Sequence, residues 1–351
     1  MARGSPRHLL GMTVSVLNRW ASTARREPGR LRPAVCAVTV AACVPYLTIK
    51  LAWLSGSTVG WNDVEAAKSS ALYVGNAITM GMDAVAVLVA LAFTFPWGRR
   101  VPAWLVLTPI WIGAGLLAPI GLAVPIGVTV QTLYSDEPLT QSGAGDELQT
   151  WVYGVVYTGF TVQGVGLLVA FLLYARDRWP DVFTVRTRDV ARGATHGLQV
   201  LMARTAGVFA AVFAAVQFYW ALGGTAGIRA EELARRGPAH QTIDGVTGLM
   251  AVVGAVALLL IVQRGRRPAR FVGPLAGAWI GTGATFTWSL YELITVLSRP
   301  EFLDSSSTSA LNLTVLCGLL AGLLMGVTGA VLLAERGANA QSARPTASSA
   351  P

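Results

Sequence analysis

The sequence predicts an all-α, polytopic membrane protein, with eight transmembrane helices arranged as two parallel four-helix repeats. Three observations predict this. The 351-residue chain is 53% hydrophobic and only 13% charged, against about 25% charged in soluble domains, so it lacks the polar groups to cover a water-facing surface. Eight apolar runs cover 33–54, 71–95, 101–128, 150–174, 199–222, 242–262, 271–297 and 309–334, each near the length of about 20 residues that a helix needs to cross a bilayer. Finally, "KLAWLSGSTVGW" (Lys50–Trp61) is written again as "QFYWALGGTAGI" (Gln217–Ile228), with Trp53, Gly56, Thr58 and Gly60 answered by Trp220, Gly223, Thr225 and Gly227.

Along the chain, residues 1–32 form a basic N-terminal segment. Within it, Leu10, Val14, Leu17 and Trp20 fall near helical spacing, which suits a helix lying in the membrane interface. No apolar core precedes a cleavage site there, so no removable signal peptide is expected. The first repeat is assigned to 33–178, a connection to 179–198, the second repeat to 199–336, and a disordered tail to 337–351. That tail, "GANAQSARPTASSAP", is small, polar and interrupted by proline.

Charge sets the expected orientation. Of the 27 Lys and Arg residues, 20 lie in the two terminal segments and in the connections between runs 2–3, 4–5 and 6–7. Acidic residues such as Asp63, Asp136, Glu231 and Asp304 gather in the other loops. Basic residues are retained on the cytoplasmic side, so both termini should be cytoplasmic, as an even number of spans also requires. The net charge of +9 is therefore a mark of topology, and nucleic acid is not expected as a partner. The paired arginines of the 2–3 and 6–7 connections, Arg99, Arg100, Arg266 and Arg267, are read as plain cytoplasmic anchors, with anionic lipid headgroups or a phosphate as the alternative partner.

The repeat extends past the quoted phrase. "GRRVPAWLVLTPIWIGAG" (98–115) is answered by "GRRPARFVGPLAGAWIGTG" (265–283), and runs 4 and 8 end alike in "AFLLYARDR" and "AVLLAERG". Four spans per copy is an even number, so both copies enter the membrane the same way round, related by an axis along the membrane normal. Gly273, Gly277 and Gly281, then Gly318, Gly322 and Gly326, form faces of small residues. Such faces allow helices to approach closely within the chain or between copies of an oligomer.

Soluble-enzyme signatures are missing: no phosphate-binding Walker loop, no GxSxG, no HExxH and no CxxC. The three histidines lie outside the apolar runs, and Cys36, Cys43 and Cys317 lie inside them as small packing residues. No cofactor or metal is expected. What remains is ionisable and amide side chains within the bilayer, which are expensive there and face partners or cavities. Asp83 is the deepest, and Asn76, Thr79 and Asp83 are spaced to share one helix face. Lys50 and Glu292 lie at similar depth in different repeats and are candidates to pair; snorkelling of Lys50 to the outer headgroups is the alternative. Gln217 is the repeat counterpart of Lys50, and Asp244 with Thr247 offers a weaker echo of Asn76 and Thr79. Run 4 adds Tyr153, Tyr157 and Gln163.

With its Ala/Gly/Val-rich composition, 25 Arg against two Lys, and the Lys50–Trp61 phrase, the chain resembles the uncharacterised multi-pass integral membrane proteins of high-GC actinobacteria such as Streptomyces. The resemblance implies a bacterial cytoplasmic (inner) membrane and carries no substrate, cofactor or active residue. The expected function is that of a transporter or permease with a polar cavity between the repeats. The alternatives are an accessory membrane subunit, or an enzyme acting on a lipid or isoprenoid.

Overall fold

The computed structural model describes residues 30–64, 70–134, 148–190, 192–228, 233, 236–264, 270–297 and 308–342. The interfacial helix expected around Leu10–Trp20, and Arg266 and Arg267, fall outside them. Nine α-helices account for most of these residues: α1 Leu31–Leu54, α2 Ser70–Thr94, α3 Ala103–Tyr134, α4 Thr150–Arg178, α5 Pro180–Thr184, α6 His196–Ala221, α7 Pro238–Val262, α8 Val272–Leu297 and α9 Ser309–Ser342. Seven of them are long and apolar enough to cross a membrane: α1, α2, α3, α4, α6, α7 and α9.

Helix α8 is the exception to the eight predicted spans. It carries Thr282, Thr285, Thr287 and Ser289, all buried at 4% exposure or less. Its neighbours are α3, α7 and α9. Along this buried middle stretch the helix needs no apolar lipid-facing surface, while Tyr291, Ile294 and Leu297 toward its end are exposed. Two of its hydroxyls turn back onto its own backbone, Thr285 Oγ1 to the Gly281 carbonyl and Thr287 Oγ1 to that of Gly283, each at 2.8 Å.

Taken in chain order, the long helices close into two rings of four, and α3 packs more extensively on α7 and α8 than on α2 and α4. In the first, α1 meets α2, α2 meets α3, α3 meets α4, and α4 closes back onto α1. In the second, α6, α7, α8 and α9 close in the same cyclic order. The groups join where α3 lies against α7 and α8. There Gly115 faces the backbone of Gly283, and a Cβ on Gly283 would stand 2.8 Å from the Trp111 carbonyl oxygen. Trp111 reaches across to donate its indole N–H to Thr282 Oγ1 at 3.1 Å and stacks on Phe286, while Trp279 reaches back to stack on Phe171.

The two copies of the Trp–Gly–Thr–Gly phrase fold alike. Gly56 and Gly223 take φ +90° and +91°, and Gly60 and Gly227 take +81° and +86°, a left-handed backbone that glycine alone adopts without a steric penalty. In each turn the Trp indole N–H donates across the loop, Trp53 to the Val59 carbonyl at 2.7 Å and Trp220 to the Ala226 carbonyl at 3.0 Å. Each turn is also tied to the chain entering the fourth helix of its group. The Gly60 carbonyl accepts from Gln149 N at 2.8 Å, and the Gly227 carbonyl from Thr308 Oγ1 at 2.5 Å.

Of the two uses open to the glycine-rich faces, packing within the chain is the one these contacts show. Gly277 and Gly281 pack on α7, at Ala257 and Gly254, while Gly322 meets Phe286 and Gly326 meets Trp111. Helix α9 runs through Ser342, and the rest of the tail, residues 343–351, lies outside the described residues. Helix α4 ends at Arg178 and α5 begins at Pro180, because proline cannot continue a helix but suits a first helical position.

Candidate functional site

A repeating 3–4 spacing on α1, Cys36–Thr39–Cys43–Tyr46–Lys50, puts five buried side chains on one stripe, the seam geometry of a helix packed against neighbours. That stripe faces α2 and α4, and close approach of α4 is permitted by glycine. A Cβ on Gly159 would stand 2.6 Å from the Tyr46 ring, and Gly166 leaves room for the Thr39 side chain.

Lys50 does not snorkel outward, nor is Glu292 its ion-pair partner; its ammonium lies 3.0 Å from Asp83 Oδ2. Lys50 and Asp83 are each 6% exposed. The direction follows from helix geometry. Side chains tilt toward the N-terminus of their own helix, and for Lys50 near the end of α1 that direction leads back into the span. Its Nζ accordingly sits 5.2 Å from the Tyr46 ring centre and 5.7 Å from that of Phe160, within reach of a cation–π attraction.

Asp83 receives a second donor. Tyr46, fully buried, donates its hydroxyl to Asp83 Oδ1 at 2.8 Å. Gln163, on α4 and 3% exposed, lies 3.0 Å from the same phenol oxygen. One phenolic hydrogen serves one acceptor, so both contacts are satisfied when Gln163 presents its NH2 to the phenol. Lys50, Asp83, Tyr46 and Gln163 thus form a connected polar centre contributed by α1, α2 and α4. Desolvating two charges costs several kcal/mol per ion, offset only by close pairing and additional hydrogen bonds, and this centre supplies both.

The other predicted path residues are elsewhere. Thr79 is exposed and bonds its own helix at the Gly75 and Asn76 carbonyls; Asn76 is half-buried. The i, i+3, i+7 spacing therefore does not make one buried face, because the boundary between protein and lipid runs along it. Asp244, at the start of α7, pairs with Arg236 just outside the helix. Glu292 is half-buried on α8. Gln217 is buried at 3% with its side-chain oxygen unpartnered. Around it, Phe213 holds the sequence position that matches Tyr46, and Gly318 meets the Phe213 ring as Gly159 meets the Tyr46 ring. The polar centre lies inside the first helix group, not between the two groups.

Sequence reasoning missed Tyr46 and Phe160. The seam spacing on α1 would have found Tyr46, which sits one turn before Lys50 on the same stripe. Just outside the centre, Ala42, Pro45, Gly154, Gly159 and Val162 line a largely apolar groove of about 480 Å³ between α1 and α4, and Gly159 borders both the groove and Tyr46.

At the opposite end of the first group, Asp177 holds Arg32 at 2.7 Å and Arg99 at 3.2 Å. Arg178 donates to the Gly98 and Val101 carbonyls, fastening the 2–3 connection to α4. Arg99 is thus engaged by protein, while Arg100 is exposed.

No family profile, curated protein or solved structure matches the chain. Its class rests on its own helices: it is a multi-pass membrane protein.

Proposed function

We propose that the protein is transporter-like, and that the Lys50–Asp83 pair of its first helix group couples movement of a proton or cation to rearrangement of the helices. The carrying observation is the buried pair itself, with Tyr46 and Gln163 attached. Ionisable groups at such depth are costly and recur in ion paths and proton relays. Breaking the pair, by protonating Asp83 or by a cation taking the place of Lys50, frees a charge that three helices must accommodate.

The proposal includes duplication. Residues 33–178 and 199–336 are read as copies of one four-helix unit, with α8 as the eighth span and a pseudo-two-fold axis along the membrane normal. Several features support this. The two turns share glycine conformations and indole bonds. The buried stripe of α1 recurs on α6 as Ala203–Ala206–Ala210–Phe213–Gln217. Gly115 and Gly283, matched by sequence, touch each other, as residues beside a two-fold axis do. The second copy replaces Tyr46 and Lys50 with Phe213 and Gln217, so the charged chemistry is assigned to the first.

Both termini are assigned to the cytoplasmic side of a bacterial inner membrane. A single cysteine at exposed Ser57 should react with an impermeant thiol reagent from outside whole cells, and one at exposed Asp189 only after permeabilisation. The reverse pattern would overturn the orientation.

The functional reading is tested in proteoliposomes by following proton and monovalent-cation flux with and without an imposed pH gradient. Wild type should carry flux, and Asp83→Asn should abolish it while still inserting and purifying. An absence of flux in wild type across these ions would leave the pair as a packing device in an accessory subunit, a reading consistent with its complete pairing.

A further inference from the structure

We infer that the end of the second helix group where α6 begins and α7 ends is a binding site for a phosphate-type oxyanion, centred on Arg264. Four observations carry this. Arg264 follows the last turn of α7 with φ +53°, a left-handed conformation that costs a non-glycine residue energy and in which glycine is the usual occupant. Its Nε and Nη1 are buried without a hydrogen-bond partner, whereas a buried guanidinium is normally fully paired. His196, in the first turn of α6, has a buried Nδ1 that is likewise unpartnered. Arg192 and Arg264 both lie close enough to act electrostatically on His196 and on each other.

The nearby acidic group is already committed. Glu335 on α9 accepts from Thr195 N at 3.1 Å, Thr195 Oγ1 at 3.0 Å and Gln199 Nε2 at 2.9 Å. It thereby caps the start of α6, where backbone N–H groups and the helix dipole favour an anion. Both of its oxygens are used, and Arg264 is left with charge and directional donors. The first group differs at its matching end, where Arg32 and Arg99 share the Asp177 carboxylate. In the second group an external oxyanion completes the arrangement, since guanidinium forks match phosphate oxygens in geometry.

The same chemistry is offered by an anionic phospholipid headgroup and by free phosphate, and the experiment separates them. Full-length protein is placed in nanodiscs of phosphatidylcholine alone, in phosphatidylcholine with phosphatidylglycerol, and in phosphatidylcholine with added inorganic phosphate, and thermal unfolding is followed. Wild type should be stabilised by at least one anion: by phosphatidylglycerol alone if the ligand is a headgroup, by phosphate also if it is soluble. Arg264→Gly suits the left-handed backbone, so it should remain folded in phosphatidylcholine while its apparent affinity for the anion falls about fivefold or more. Exposed Arg192→Ala should weaken binding in the same direction. Wild type gaining nothing from either anion would overturn the inference, as would Arg264→Gly and Arg192→Ala keeping the full wild-type gain.

Discussion

Asp83→Leu, with Lys50 retained, should destabilise the protein by about 3–5 kcal/mol, the range for removing one partner of a buried ion pair. The cause is the ammonium left behind. Lys50 is 6% exposed, its stem is directed into the span, and its remaining neighbours are two aromatic rings. Tyr46 would lose Asp83 as an acceptor but keep Gln163 Oε1, 3.0 Å from its hydroxyl, so the loss rests on the ammonium. The double variant Lys50→Met with Asp83→Leu should recover most of the loss, because apolar replacement of both partners is often neutral or stabilising. Reversible unfolding in detergent, arranged as a double-mutant cycle, measures the coupling. Additive losses would show that the pair contributes nothing as a pair. Restored stability with flux still absent would separate the functional role of the pair from its part in folding.

Gly115→Leu should prevent the two helix groups from docking. Any Cβ on Gly115 runs into the Gly283 backbone, and backbone atoms cannot turn aside as a side chain can. Overpacking commonly costs about 1–3 kcal/mol, so Gly115→Ala should fall in that range and leucine beyond it. Gly121, further along α3, has nothing within 4 Å of a Cβ, and Gly121→Leu is the matched control. Unfolding midpoints together with cross-linking between cysteines placed on α3 and α8 provide the readout. Equal stability and equal cross-linking in Gly115→Leu and Gly121→Leu would remove that contact from the interface.

The sequence by itself determined the membrane-spanning character of α1, α2, α3, α4, α6, α7 and α9. Transfer of a side chain from water to lipid is a local property that sums along a segment, so apolar runs read directly as spans. It also marked the two matched Gly-containing stretches, where Gly56 and Gly223 meet a backbone requirement set within a few residues. The depth of Asp83 was legible for the same reason, and depth alone required it to face protein. Its partner was not legible. Whether Lys50 meets Asp83, Glu292 or the headgroups depends on how α1 and α2 are rotated and crossed, which no single segment specifies. Tertiary structure also decided the surroundings of α8, whose buried Thr282, Thr285, Thr287 and Ser289 are enclosed by α3, α7 and α9 rather than by lipid. Thr79 and Asp83 diverge on the same ground: residues on one side of a helix share burial only if a neighbour covers that whole side, and α1 and α4 enclose Asp83 while leaving Thr79 exposed.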